Sequence, residues 1–88
     1  MSNTIDLVVI SNEEKIFDGK VLSLKFNTNT GPIMIMKNHV PYLSKIDTFI
    51  EYEITENNNN IETNQQHIDI SSGFVYTNGS VCFAIVEK

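Results

Sequence analysis

Apolar and polar residues alternate along several short stretches of this chain, which is the pattern of strands that bury one face. The clearest stretches are 21–27, 48–55 and the run from Gln66 onward. Two more, Ile5 to Ile10 and Val81 to Val86, are almost wholly apolar and rich in β-branched residues. The pattern predicts an all-β fold with these positions in its core: Leu22, Leu24, Phe26, Ile68, Ile70, Val81 and Phe83.

Turn-forming residues separate the stretches, and Asn78-Gly79 is the strongest hairpin signal among them. The other expected breaks are Ser11–Glu14, Asp18-Gly19, the loop at 27–31, a hairpin tip at Asn57 to Asn60, and Ser71-Ser72-Gly73. Residues 41–46 fit either an extended segment or a short turn of helix. Many short strands between turns predict a β-sandwich or small barrel, formed as a single domain by residues 1–88.

The stretch from Gly31 to Tyr42 departs from the alternation. It opens on a glycine-proline turn and continues with four apolar residues, Ile33 to Met36. The two isoleucines point one way and the two methionines the other, so neither side of this strand is polar. Either the strand is buried on both sides or its methionine side meets a partner.

Charge and composition narrow the possible partners. The formal net charge is −5 over 88 residues, which argues against binding along a nucleic-acid backbone. The sequence has no apolar run near the roughly 20 residues of a membrane helix, and no secretory signal. Its one cysteine, Cys82, cannot form an internal disulfide. We therefore expect a soluble, intracellular chain.

The polar residues offer little chemistry. His67, Asp69 and Ser71 are spaced by two, so they line one strand face about 7 Å apart. A catalytic triad needs its histidine between the other two groups, and a solvated polar stripe is the favoured interpretation. The histidines lack metal-site spacing, and the sequence has no glycine-rich phosphate loop. We expect no catalytic residue, metal or cofactor.

Three motifs together resemble the epsilon subunit of rotary F-type ATP synthases. Lys15–Val21, with the sequence KIFDGKV, is similar to a signature near the start of that subunit. Gly31–Tyr42, GPIMIMKNHVPY, resembles its GExGILPGHAPL segment, and Ser71–Phe74 with the Asn78-Gly79 hairpin resembles its final strands. The motifs follow the family's order and cover nearly the whole chain.

The resemblance implies a ten-stranded β-sandwich, a flattened barrel, seated between the gamma subunit and the c-ring. It implies a non-catalytic central-stalk subunit of a proton- or sodium-translocating synthase. Such a subunit would lie peripherally at the cytoplasmic face of a bacterial inner membrane and contact the membrane only through the complex. The family's corresponding loop lies at the rotor end, so the resemblance implies an interface with gamma or the c-ring made by these residues: Thr30, Gly31, Pro32, Met34, Met36, Lys37, Asn38, His39, Pro41 and Tyr42.

The departures from the family also matter. Pro32 replaces the family's glutamate and cannot supply a carboxylate, whereas Lys37 adds a cation at this end. The family's C-terminal helical hairpin would begin near Glu87, and the sequence predicts that it is absent. We therefore expect coupling and assembly without ATP binding or a helical brake. The alternative from the strand pattern alone is a free-standing β-sandwich ligand-binding or interaction module.

Overall fold

A computed structural model describes residues 4–55 and 63–88, and their regular secondary structure is entirely β-strand. The strands are β1 Ile5–Ser11, β2 Lys15–Val21, β3 Ser23–Thr28, β4 Gly31–Ile35, β5 Tyr42–Thr55, β6 Thr63–Thr77 and β7 Val81–Glu87. The all-β prediction is confirmed. Within the described residues, no helix is long and apolar enough to cross a membrane.

The strands form one continuous sheet in the order β2-β1-β7-β6-β5-β3-β4. All neighbours are antiparallel except β1 and β7, which run parallel. The described residues thus form seven strands rather than the expected ten. Two strands are long, 14 residues in β5 and 15 in β6. Strand β6 pairs with β7 only from Ser72 onward, and strand β5 pairs with β3 only from Asp47 onward. The two long strands therefore connect one half of the sheet, which contains β2, β1 and β7, to the other half, which contains β3 and β4.

Both halves of the sheet contribute to one hydrophobic core. Its fully buried members include Leu7 of β1, Phe26 of β3 and Ile50 of β5. The complete buried apolar set is Ile5, Leu7, Val9, Val21, Leu24, Phe26, Ile35, Ile46, Ile50, Tyr52, Ile70, Val75, Cys82, Ala84 and Val86. Because the core draws on every strand, no single hairpin can bury its apolar face alone.

The predicted core positions have three outcomes. Three are buried as predicted: Leu24, Phe26 and Ile70. Three are only half-buried: Leu22, Ile68 and Val81. The prediction for Phe83 is wrong, since its side chain is 45% exposed. In β7 the inward residues are Cys82, Ala84 and Val86, and an apolar strand gives no polar face from which to fix the phase of its alternation.

Two predicted turns are confirmed. At the β6–β7 turn, the Asn78 N–H donates to the Val81 carbonyl oxygen at 3.2 Å, and Gly79 has a φ of +101°. At the β1–β2 turn, the Ser11 N–H donates to the Glu14 carbonyl oxygen at 2.9 Å. Each turn brings its flanking strands into the sheet.

Two other predicted breaks are wrong. Strand β2 runs straight through Asp18-Gly19, where Gly19 lies opposite Leu7 of β1. Strand β6 likewise continues through Ser71-Ser72-Gly73, because β5 and β7 both pair with it there. Ladders on neighbouring strands override the local turn preference at these positions.

Three further expectations concern residues 27–31, 41–46 and 57–60. The expected 27–31 loop is a tight turn in which the Thr28 hydroxyl donates to the Gly31 carbonyl oxygen at 2.7 Å. Residues 42–46 are extended as the start of β5, which decides the choice left open by the sequence. The hairpin tip expected at Asn57 to Asn60 lies outside the described residues.

Candidate interaction surfaces

The methionine side of β4 is exposed. Strand β4 is the last strand of the sheet and pairs with β3. Ile35 is fully buried and Ile33 is half-buried, whereas Met34 is 51% and Met36 is 54% exposed. The structure therefore excludes burial on both sides, and the methionines are not core residues.

The corner that follows β4 rests against the β6–β7 turn. The Asn38 N–H donates to the Gly79 carbonyl oxygen at 3.0 Å, and Asn38 has a φ of +68°. Asparagine tolerates this left-handed conformation better than most residues. A Cβ added to Gly79 would lie 2.9 Å from the His39 carbonyl oxygen, closer than real Cβ contacts allow. The glycine thus permits the corner to approach the turn.

His39 organises the corner. Its backbone N–H donates to the Met36 carbonyl oxygen at 3.1 Å, and its Nδ1 donates to the Val40 carbonyl oxygen at 2.7 Å. Its ring meets the edge of Tyr42 at a centroid distance of 5.9 Å. The two ring contacts fix the imidazole locally, so His39 helps to hold the corner in this conformation.

The structure places most of the expected interface residues in solvent. Thr30, Pro32, Met34, Met36, Lys37, Asn38 and Pro41 are exposed, and Gly31, His39 and Tyr42 are half-buried. Val40, which is not among the expected interface residues, is 68% exposed. We call this region, residues 30–42, the corner surface.

The structure shows a second apolar surface that was not predicted from the sequence. Five of its seven members are exposed, Phe83 and Ile85 of β7, Phe74 and Tyr76 of β6 and Leu43 of β5, and two are half-buried, Val8 and Ile10 of β1. We call this set the outer face. Strand register aligns it in two rows across four strands, one running Val8, Phe83, Tyr76, Leu43 and the other Ile10, Ile85, Phe74, Lys45.

Charged residues border the outer face. On the β2 side, Lys15 and Asp18 form an ion pair at 3.0 Å directly beside the two rows. On the β5 side, exposed Lys45 ends one row. A cavity of about 480 Å³ opens at this end, and its walls include Lys45, Phe74 and Ile85. A contiguous apolar patch with a charged border is typical of a protein interaction site.

A sequence signal for the outer face existed. The stretches 5–10 and 81–86 are nearly as two-sided in their apolar character as residues 33–36. Strands β1 and β7 share this two-sided character with β4. In central strands the pattern does not by itself indicate an exposed face, because such strands are often apolar on both faces when both are covered.

The candidate triad does not assemble. His67 contacts Asp69, with Nε2 2.8 Å from Oδ1, but its Nδ1 lies 2.8 Å from Glu51 Oε2. The Ser71 hydroxyl instead donates to the Glu87 carbonyl oxygen at 3.0 Å. The histidine thus sits between two carboxylates, and the serine is engaged elsewhere.

Cys82 is also unsuited to chemistry. Its side chain is fully buried in β7. Burial raises the pKa of the thiol to about 12, and the reactive species of cysteine is the thiolate. The residue therefore serves as core packing.

Comparison with known proteins gives one family. Residues 4–88 match the family described as ATP synthase, Delta/Epsilon chain, beta-sandwich domain. The fold is similar to a chain in the Euglena gracilis mitochondrial ATP synthase, OSCP/F1/c-ring, with a TM-score of 0.84 and 19% identity, covering 100% of this chain and 53% of that one. It is also similar to a chain in the Tetrahymena thermophila mitochondrial ATP synthase, central stalk/c-ring, with a TM-score of 0.76 and 15% identity, covering 96% and 63%. The chain thus spans between half and two thirds of the length of these two structures' chains.

Proposed function

The chain belongs to the ATP synthase delta/epsilon family through that family's β-sandwich domain, and we propose that it is a central-stalk subunit coupling gamma to the c-ring. The observation that carries the proposal is the family match over residues 4–88. The two similar structures support it, since both are described as ATP synthase assemblies that include the c-ring. The alternative, a free-standing binding module, accounts for the strands but not for the family match.

A coupling subunit needs two separate contacts, and the domain offers two surfaces. The corner surface lies against the β6–β7 turn, and its exposed side chains include Met36, Val40 and Lys37. The outer face is broad, and its rows span four strands. We assign the corner surface to the c-ring, as the resemblance implies, and the outer face to gamma.

The proposed role of these residues is docking. The candidate nucleophiles lie outside both surfaces and are not activated: the Ser71 hydroxyl donates to the Glu87 carbonyl oxygen, and burial keeps the Cys82 thiol protonated. Binding energy at such interfaces comes from a few buried apolar and aromatic anchors. Phe83, Tyr76 and Met36 are the side chains placed to act in this way.

The location of the subunit follows from its partners. We propose that it is peripheral and contacts the membrane only through the complex. Both similar structures are mitochondrial, so the location at a bacterial inner membrane remains a prediction. The proposal of a proton- or sodium-translocating synthase likewise remains a prediction.

The test is to recover the tagged chain from its native membranes and identify the subunits that accompany it. We expect gamma and c subunits in the natural sample. Phe83→Ser should lose gamma, with the melting temperature of the isolated domain held within a few degrees because the side chain is 45% exposed. Glu13→Gln, an exposed change in the β1–β2 turn, is the matched control. Recovery of neither subunit with the natural chain would refute the proposal.

A further inference from the structure

Glu51, His67 and Asp69 form a cluster that belongs to neither proposed surface. His67 on β6 lies directly opposite Glu51 on β5, and Asp69 follows two residues later on the same side of β6. Each ring nitrogen of His67 lies 2.8 Å from a carboxylate oxygen, Nδ1 from Glu51 and Nε2 from Asp69. The ring of Phe49 stacks on the imidazole at 5.6 Å and 14°. The imidazole is therefore held along both edges and on one face.

This arrangement fits the charged form of His67. A neutral imidazole has one N–H and one lone pair, whereas ionised carboxylates only accept hydrogen bonds. Only the imidazolium can donate to both Glu51 and Asp69, and an aromatic face beneath it also favours a cation. In agreement, the hydrogen bonds to Glu51 and then Asp69 raise the pKa of His67 above its ordinary 6.5.

Loss of the proton leaves the neighbourhood negative. Glu51 and Glu53 face this side from β5, and Asp69 faces it from β6. On β3, Lys25 lies opposite Glu51. Among the described residues facing the cluster, a neutral His67 thus leaves three carboxylates beside one lysine.

The cluster lies where β6 is held on one side only. The β6–β7 ladder begins at Ser72, so within the described residues β6 from Thr63 to Ser71 pairs with β5 alone. A strand at a sheet edge opens locally more easily than one paired on both sides. Side-chain contacts across the β5–β6 pair therefore have their largest effect here.

We propose that protonated His67 closes a clasp between β5 and β6, and that this edge segment opens more readily when His67 loses its proton. A group whose pKa is raised in the folded state stabilises that state fully below its unfolded value. The stabilisation is therefore complete below about 6.5 and is lost as the pH rises through the higher folded pKa of His67. The clasp does not depend on the proposed role in the ATP synthase.

The first measurement is an NMR titration of the ring signals of both histidines, in which His39 serves as an internal reference. We expect His67 to titrate above 6.5, and Glu51→Gln and Asp69→Asn each to lower its pKa. Glu53→Gln is the matched control, because Glu53 faces the same side of β5 but lies opposite Gln65 rather than His67; its loss should lower the pKa of His67 less than Glu51→Gln does. A His67 pKa at or below 6.5, or one unmoved by Glu51→Gln, would overturn the proposal.

The second measurement tests whether the protonation of His67 changes how often the β5–β6 strand pair opens locally. Hydrogen-exchange protection factors, which remove the intrinsic pH dependence of exchange, are measured for the amides of residues 65–69. We expect them to fall by about threefold across the His67 titration, the size of effect typical of exposed charge pairs, while amides of β1 stay constant. His67→Gln should abolish the pH dependence; the same fall in that variant would show that His67 is not the switch.

Discussion

Gly73 gives the sharpest test of the packing between β6 and β7. It lies opposite Val86 in the ladder. A Cβ added to Gly73 would lie 3.1 Å from the Val86 Cα and closer still to the Ile85 carbonyl oxygen. Both obstacles are main-chain atoms, so neither can rotate away as a side chain could. Gly73→Ala therefore forces the two strands apart.

The expected cost follows from two opposing effects. Overpacking a close-packed site costs about 1–3 kcal/mol. Replacing glycine with alanine also lowers the conformational entropy of the unfolded chain. This effect stabilises the folded state by about 0.4–1 kcal/mol where the native conformation accepts alanine. Since β7 links β6 to β1, the strain also weakens a central ladder. We expect a net loss of about 1–2 kcal/mol in unfolding free energy, or a fall of about 4–16 °C in melting temperature for a domain of this size.

Thermal unfolding followed by circular dichroism measures this loss. Gly19→Ala is the matched control, because its added Cβ would meet only the far end of the Phe17 side chain, at 3.1 Å from Cζ. That ring can shift, so the control should change the unfolding free energy by less than about 1 kcal/mol. If Gly73→Ala melted within about 2 °C of the control, which is less than the shift that 1 kcal/mol produces in a domain of this size, the close strand approach would be refuted.

Three further predictions concern the core and the corner surface. Phe26→Ala should lower the free energy of unfolding, measured by urea titration, by about 3–5 kcal/mol because the ring is fully buried. A loss below about 1 kcal/mol would contradict that burial. Met36→Glu should leave the melting temperature within a few degrees, since half of the side chain is exposed, yet reduce recovery of c subunits with the tagged chain. Cys82 should resist a thiol reagent in the native state at pH 8 and react after unfolding, because burial raises its pKa to about 12; rapid native labelling would contradict this.

The sequence predicted the strands well where polar and apolar residues alternate. In β3, Leu24 and Phe26 are buried as predicted because Lys25 and Asn27 mark the outward side. In β7 no such marker exists, and the larger Phe83 was expected inside. The structure instead buries small Ala84, which lies beside Val9 of β1. Side-chain size alone therefore did not determine the inward face.

The role of the corner surface stays a prediction, but its exposure was partly visible in the sequence. The two-sided apolar character of residues 33–36 drew attention to this segment, and the structure shows that its methionines are exposed. The outer face needed the register of four strands, because its rows join residues far apart in the chain, such as Val8 and Phe83. No local pattern contains that information. The same holds for Gly73, whose requirement for glycine arises from the backbone of β7.

The parallel pairing of β1 with β7 also determines when the domain can fold during synthesis. Asp6 lies opposite Val81, so this ladder joins the first described strand to the last. The β1–β2 hairpin connects to the rest of the sheet through β7. A ribosome must therefore release β7 before β1 can take its place, and until then the apolar side chains of Leu7 and Val9 remain uncovered. Contacts between such distant residues slow folding, and apolar side chains that stay exposed during that interval favour aggregation.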